Sequence, residues 1–138
     1  MMRNFAKKCL REKNSNLERI GDHAVNLAEY GDDMRKWEID FSDTVKEELN
    51  EMKAQCIAAL DNLKEVTSEN VERILSQAVI IEQKTDDMRD KYFKKQMQRL
   101  KKGKCKPQSG IVFSEILTDF ERMGDHALNI AQQYREME

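Results

Sequence analysis

Proline occurs once in the 138 residues, at Pro107, and glycine only five times. Chain breakers this scarce exclude a fold of many short strands and tight turns, and they favour long helices. Aromatic residues make up 7%, so any core must be mainly aliphatic. The cysteines are three, Cys9, Cys56 and Cys105, an odd number at unrelated spacings. They give neither a disulfide framework nor a zinc motif, and they fit a reducing cytosol. No apolar run approaches the ~18 residues that a membrane span needs. The opening MMRNFAKKCLREKN places charges on both sides of a very short apolar patch, unlike a secretory signal. The formal net charge is only -2, so there is no overall case for nucleic-acid binding. A phosphate-cradling glycine loop, a nucleophile elbow and a Cys/His pair at useful spacing are all missing, and no enzyme is expected.

What is present is helical periodicity. The first helix is expected from about Asn4 to Arg35, with a core line of Leu17, Ile20, Ala24, Leu27 and Ala28. Residues 36–41 connect it to a second helix capped by Ser42, with Asp43 favourable in the first turn. Val45, Leu49, Met52, Cys56, Ala59, Leu63 and Val66 alternate steps of four and three, a heptad seam. TSEN at 67–70 breaks that helix. A third follows from about Val71 to Lys102, with Val71, Ile74, Ala78, Ile81, Thr85, Met88 and Tyr92 on one face and Gly103 closing it. The fourth starts near Ser109 or Gly110, and its core line runs Phe113, Ile116, Leu117, Phe120, Met123, Ala127, Ile130, Ala131 and Tyr134. Short loops make the helices up-down neighbours. The expected fold is all-α, an antiparallel four-helix bundle in a single domain over 1–138.

One phrase is written twice. Residues 17–28 read LERIGDHAVNLA and residues 120–131 read FERMGDHALNIA, identical at eight of twelve positions with an offset of 103. This marks two copies of one unit. Residues 42–137 read as a complete three-helix unit ending in the phrase. Residues 1–35 read as the last helix of a preceding unit, which makes the chain look like a piece of something longer.

The polar residues of the phrase carry the functional argument. Glu18, Asp22 and Asn26, like Glu121, Asp125 and Asn129, are spaced i, i+4, i+8 and lie within about 80° of one another around the helix. The apolar line is almost opposite, so the stripe is expected to face solvent or a partner. Two carboxylates one turn apart repel by roughly 0.2–0.5 kcal/mol, yet both copies keep the pair. Glu82 and Asp86, in EQKTD on the third helix, repeat the spacing. Such an oxygen-rich surface suits a hard or borderline cation; the bland alternative is solvated helix acids.

His23 and His126 follow the aspartates. They do not fit the Glu-x-x-His pattern of di-iron bundles, and a structural role, hydrogen-bonded to a neighbour, is the reading taken. Ligation by His23, His126, Asn26 or Asn129 is the lesser alternative. Arg19 and Arg122 read as salt-bridge partners of an adjacent helix, ahead of anion recognition. Gly21 and Gly124 suggest close backbone approach between helices. The run from Lys94 to Lys106 has seven basic residues and no acid. It offsets a helix C-terminal dipole or, alternatively, meets an anionic membrane or the cytoplasmic face of a transporter.

ERIGDHAVN and ERMGDHALN resemble the signature of the PhoU-like family, built from repeated three-helix units that each end in a helix with Glu-Arg-Ile-Gly-Asp. EQKTD is similar to that family's second acidic motif. With RLKKGKC, the wording most resembles the cytoplasmic C-terminal domain of Na/Pi cotransporter family proteins. The resemblance implies a cytoplasmic regulatory domain for phosphate transport, at the inner face of the membrane, with a membrane transporter or signalling protein as partner. It also implies multinuclear metal sites made by Glu/Asp-x-x-x-Asp pairs, here Glu18 with Asp22, Glu82 with Asp86 and Glu121 with Asp125, holding iron, manganese or zinc. A family protein of full length has two complete units; this chain has one and an extra helix. The seam on the second helix and the extra first helix predict a homo-oligomer, most simply a dimer. A metal-free structural helical adaptor and a carboxylate-bridged metalloenzyme are the rival functions.

Overall fold

The computed structural model describes residues 2–136, with the backbone alone for Met2, Phe5, Ala6, Lys8, Cys9, Leu10, Glu12 and Lys13. The expected unit end at Met137, and the chain ends at 1 and 138, lie outside the described residues. Four helices follow in order: α1 (Met2–Lys36), α2 (Asp43–Asp61), α3 (Val71–Lys101) and α4 (Pro107–Glu136). The fold is the expected all-α bundle, with no strand among the described residues.

Local chemistry sets the boundaries. Ser42 caps α2, its Oγ accepting from Val45 N at 3.3 Å. Gly103, at φ +67, closes α3 in the left-handed region where glycine has no steric penalty. α2 ends at Asp61, earlier than its apolar spacing suggests. Asn62 Nδ2 donates to Ile74 O, and Asn70 bonds both Thr67 N and Glu65 O. These side-chain bonds give the backbone an alternative to the helical ladder. Leu63 and Val66 therefore pack half-buried from the turn rather than from the helix.

α4 is the hub. It packs against α1, α2 and α3, while α2 also packs on α3; α1 lies against α4 and against no other helix at backbone-contact distance. Phe113 and Met52 are fully buried, and with Phe41, Val45, Tyr92 and Leu117 they form the main core. Ile20, Cys56, Met123 and Ile130 form a second cluster between α1, α2 and α4. Tyr92 donates to Glu51, and Arg99 grips the carboxylate of Glu48, tying α3 to α2. Burial pushes the Cys56 thiol up to about 11, leaving it an inert core group.

The core line of α4 is buried or half-buried along its whole expected length. That of α1 is not. Ile20 is buried and Leu27 half-buried, but Leu17, Ala24 and Ala28 are exposed, as are Gly21 and Val25. Their counterparts 103 residues later, Phe120, Ala127, Ala131, Gly124 and Leu128, are covered or partly covered. The two helices carry the same face, and only α4 has neighbours on both sides of it.

Candidate metal centre

α1 and α4 run antiparallel, with the two copies of the phrase facing each other. His23 Nδ1 meets Asp119 Oδ1 at 2.6 Å, and His126 Nδ1 meets Asn16 Oδ1 at 3.1 Å. The repeat offset maps Asn16 onto Asp119 and His23 onto His126, so these two contacts are one contact made twice about a local twofold axis. The rings stack across that axis, 5.6 Å between centroids. Burial, then the neighbouring His23 and the arginines Arg19 and Arg122, hold His126 below the ordinary histidine value. Burial, and then the nearby Asp119 carboxylate, push the Tyr30 phenol up. Both histidines thus make the expected hydrogen bond to a neighbouring helix. Asn16 and Asp119, the residues immediately before the phrase in each copy, are their partners; extending the alignment by one position would have found them.

The carboxylates come together on the other side of α4. One oxygen each from Glu82, Asp86 and Asp125 lies within 4.8 Å of the others. Glu121, one turn before Asp125, joins them and is held by Arg89 Nε at 2.8 Å from its Oε2. All four are half-buried. Their spacing explains the convergence: i, i+4 on α3 faces i, i+4 on α4, so two short stripes meet across one helix pair.

The electrostatics follow from crowding. Glu82 is pushed up to about 7, first by its hydrogen bond to Asp86, then by burial and by the charges of Asp86 and Asp125. Burial leads the rise of Asp125, with Asp86 adding to it and Arg122 opposing. Burial likewise raises Glu121, against the pull of Arg89. Glu82 therefore stays partly protonated near neutral pH. Asp86 Oδ1 is buried and has no hydrogen-bond partner among the described residues. An orphaned carboxylate oxygen beside three further carboxylates fits a bound cation, which would satisfy it and displace the proton of Glu82.

Several sequence expectations are corrected here. The α4 stripe does not face solvent: α4 is surrounded, so the side opposite its apolar line still meets a helix, and Glu121 and Asp125 face α3. Glu18 and Asp22 sit exposed on α1, which does not pack on α3, and the structure does not bring them to the cluster. Asn26 lies in a shallow groove with Tyr30 and Arg122, and exposed Asn129 lies in another with Arg19. Arg19 and Arg122 are exposed; the ion pair at the phrase's glutamate comes from Arg89 instead, a residue that nothing in the sequence pattern singled out. Gly21 and Gly124 are not sites of close approach, since a Cβ at either would meet nothing within 4 Å. The tight glycine is Gly110, where a Cβ would come within 2.9 Å of Leu100 Cδ1.

No helix is long and apolar enough to cross a membrane among the described residues. No curated protein and no solved structure matches the chain. A family model described as the PhoU domain matches residues 49–134, well over half of the sequence. That span runs from the first turns of α2 to the end of α4 and includes all four clustered carboxylates; α1 lies before it. By this match the chain belongs to the PhoU domain family.

Proposed function

We propose that this domain is a non-enzymatic regulator of phosphate transport that binds metal on Glu82, Asp86, Glu121 and Asp125. The observation that carries the reading is the convergence of Glu82, Asp86 and Asp125 from two helices, with Glu121 beside them on Arg89 and Asp86 Oδ1 buried without a partner among the described residues. An all-oxygen donor set favours iron or manganese over zinc. Arg89 positions Glu121 and keeps the cluster from repelling itself apart. Metal binding would lock α3 to α4 and so fix the surface offered to a partner. The partner we infer is a membrane phosphate transporter of the Na/Pi type or a signalling protein, met at the cytoplasmic face. The open face of α1 is where a second copy would lie.

Elemental analysis of protein purified without chelator tests the metal, beside the Asp86→Asn/Asp125→Asn double variant. Stoichiometric iron or manganese in the parent, lost in the variant, is the expected result. Absence of metal from both, with both equally folded, would leave a metal-free helical adaptor. Bound iron that turns over electrons with a substrate would instead favour a metalloenzyme.

A further inference from the structure

At the end of the bundle where α2 and α4 begin and α3 ends, a cleft of about 430 Å³ opens between the connection 37–42 and the loop 102–106. That volume lies within the range of small-molecule sites. One wall is basic, made by Arg99, Lys104 and Lys106. Lys101 and Lys102 stand at the C-terminal end of α3, where cations offset the helix dipole. Lys104 closes the C-terminus of α3, its N–H bonded to Arg99 O, but Lys106 immediately precedes α4, whose first turn holds no acidic residue, so this cation stands at the positive end of a helix. An anion beside Lys104 and Lys106 would relieve that crowding of positive charge.

Two buried polar atoms in the same wall are without partners. Gln96 is 2% exposed; its Nε2 donates to Cys105 Sγ at 3.4 Å, and its Oε1 bonds nothing among the described residues. Arg99 holds Glu48 through Nη2, at 2.6 Å from Oε2, while its Nη1 is buried and unpartnered. A buried amide oxygen asks for a hydroxyl or N–H donor, and a buried guanidinium nitrogen for an acceptor. The opposite wall is apolar, from Ile39, Phe41 and Val45. Two acids stand at the rim, Asp40, countered by Lys46 at 3.3 Å, and Glu38, which is exposed to solvent.

We propose that this cleft binds a small phosphate monoester. The phosphate sits on Lys104, Lys106 and the first-turn N–H groups of α4, within reach of Arg99 Nη1. A hydroxyl of the ligand donates to Gln96 Oε1, and its carbon skeleton lies against Ile39 and Phe41. The site is separate from the carboxylates: Arg99 lies thirteen positions after Asp86 on α3, about 20 Å along the helix. It needs no metal, and it stands or falls independently of the metal reading.

The test is titration of the full chain, followed by amide NMR and calorimetry, with ribose 5-phosphate, orthophosphate, ribose and phosphatidic-acid vesicles as probes. The expected result is saturable binding of ribose 5-phosphate, with shifts at the Gln96 side-chain amide and the backbone of 104–110, weaker binding of orthophosphate and none of ribose. Lys104→Gln/Lys106→Gln should weaken ribose 5-phosphate about tenfold or more, while Lys101→Gln/Lys102→Gln should leave it unchanged. Gln96→Met keeps the volume and should reduce binding of the ester without changing that of orthophosphate. Absence of saturation by ~10 mM, equal losses from the two lysine pairs, orthophosphate binding as tightly as the ester, or binding to vesicles alone would each overturn the proposal.

Discussion

At the residue scale, the two phrase glycines and the crowded glutamate make opposite statements about stability. Gly124 is buried in mid-helix, yet a Cβ there would touch nothing within 4 Å. Gly124→Ala should therefore raise stability by about 0.5–1 kcal/mol through backbone entropy alone, read from the midpoint of urea unfolding. A loss would show that the space around α4 is smaller than the geometry gives. Glu82 has its folded-state value raised from 4.5 to about 7. An acid raised on folding binds more protons when native, so its contribution favours the fold below 4.5 and is lost as pH rises to about 7. Asp125 and Glu121 are raised too and act with the same sign. Metal-free protein should thus be less stable at pH 8 than at pH 5, and Glu82→Gln should flatten that slope. Thermal melts in chelator at the two pH values check it; a parent whose stability climbs with pH would contradict the cluster.

At the scale of elements, α1 shows what a repeat implies about an interface. Its exposed Leu17, Gly21, Ala24, Val25 and Ala28 repeat the α4 residues that α2 and α3 cover. A face of that composition on an isolated helix is unlike ordinary solvated surface. The protein should self-associate through it, and Leu17→Lys/Val25→Lys should return it to a monomer in sedimentation without loss of helix content. A parent that sediments as a monomer would remove the self-association reading. The same helix marks where sequence reading stopped. Helical spacing located all four helices and nearly all of the α4 core, because one apolar period decides both. It placed Leu17, Ala24 and Ala28 of α1 in a core, because periodicity says which face is apolar and not whether a neighbour exists. The i, i+4 pairs on α3 and α4 were legible in the sequence as candidate ligands, Glu121 and Asp125 from the repeat and Glu82 and Asp86 from their spacing. That they face each other, while Glu18 and Asp22 face nothing, depends on which helices touch. Arg89 belongs to no pattern, and although Gln96 and Arg99 lie in the basic run from Lys94 to Lys106, only packing shows that each has a buried polar atom.

At the scale of the whole molecule, α4 has three helices close against it, while the backbone of α1 comes close only to α4 among the described residues, with side-chain contact to α2 at Cys56. The consequence is a graded rather than uniform resistance to opening. Detaching α1 breaks the histidine seam and the cluster around Ile20, while detaching α4 breaks every helix interface except that of α2 with α3. Under native conditions the backbone amides of α1 should exchange with deuterium through local opening well before those of α4, whose exchange should require global unfolding. Measured in stepped denaturant, the α4 amides near Phe113 and Leu117 should merge with the global transition and those of α1 should not. Merging of both sets into one transition would mean that α1 is held by more than α4. If the order holds, the end of the chain that carries Glu18 and Asp22 can release and re-dock while the four-carboxylate cluster stays intact, so the two acidic pairs answer to separate equilibria.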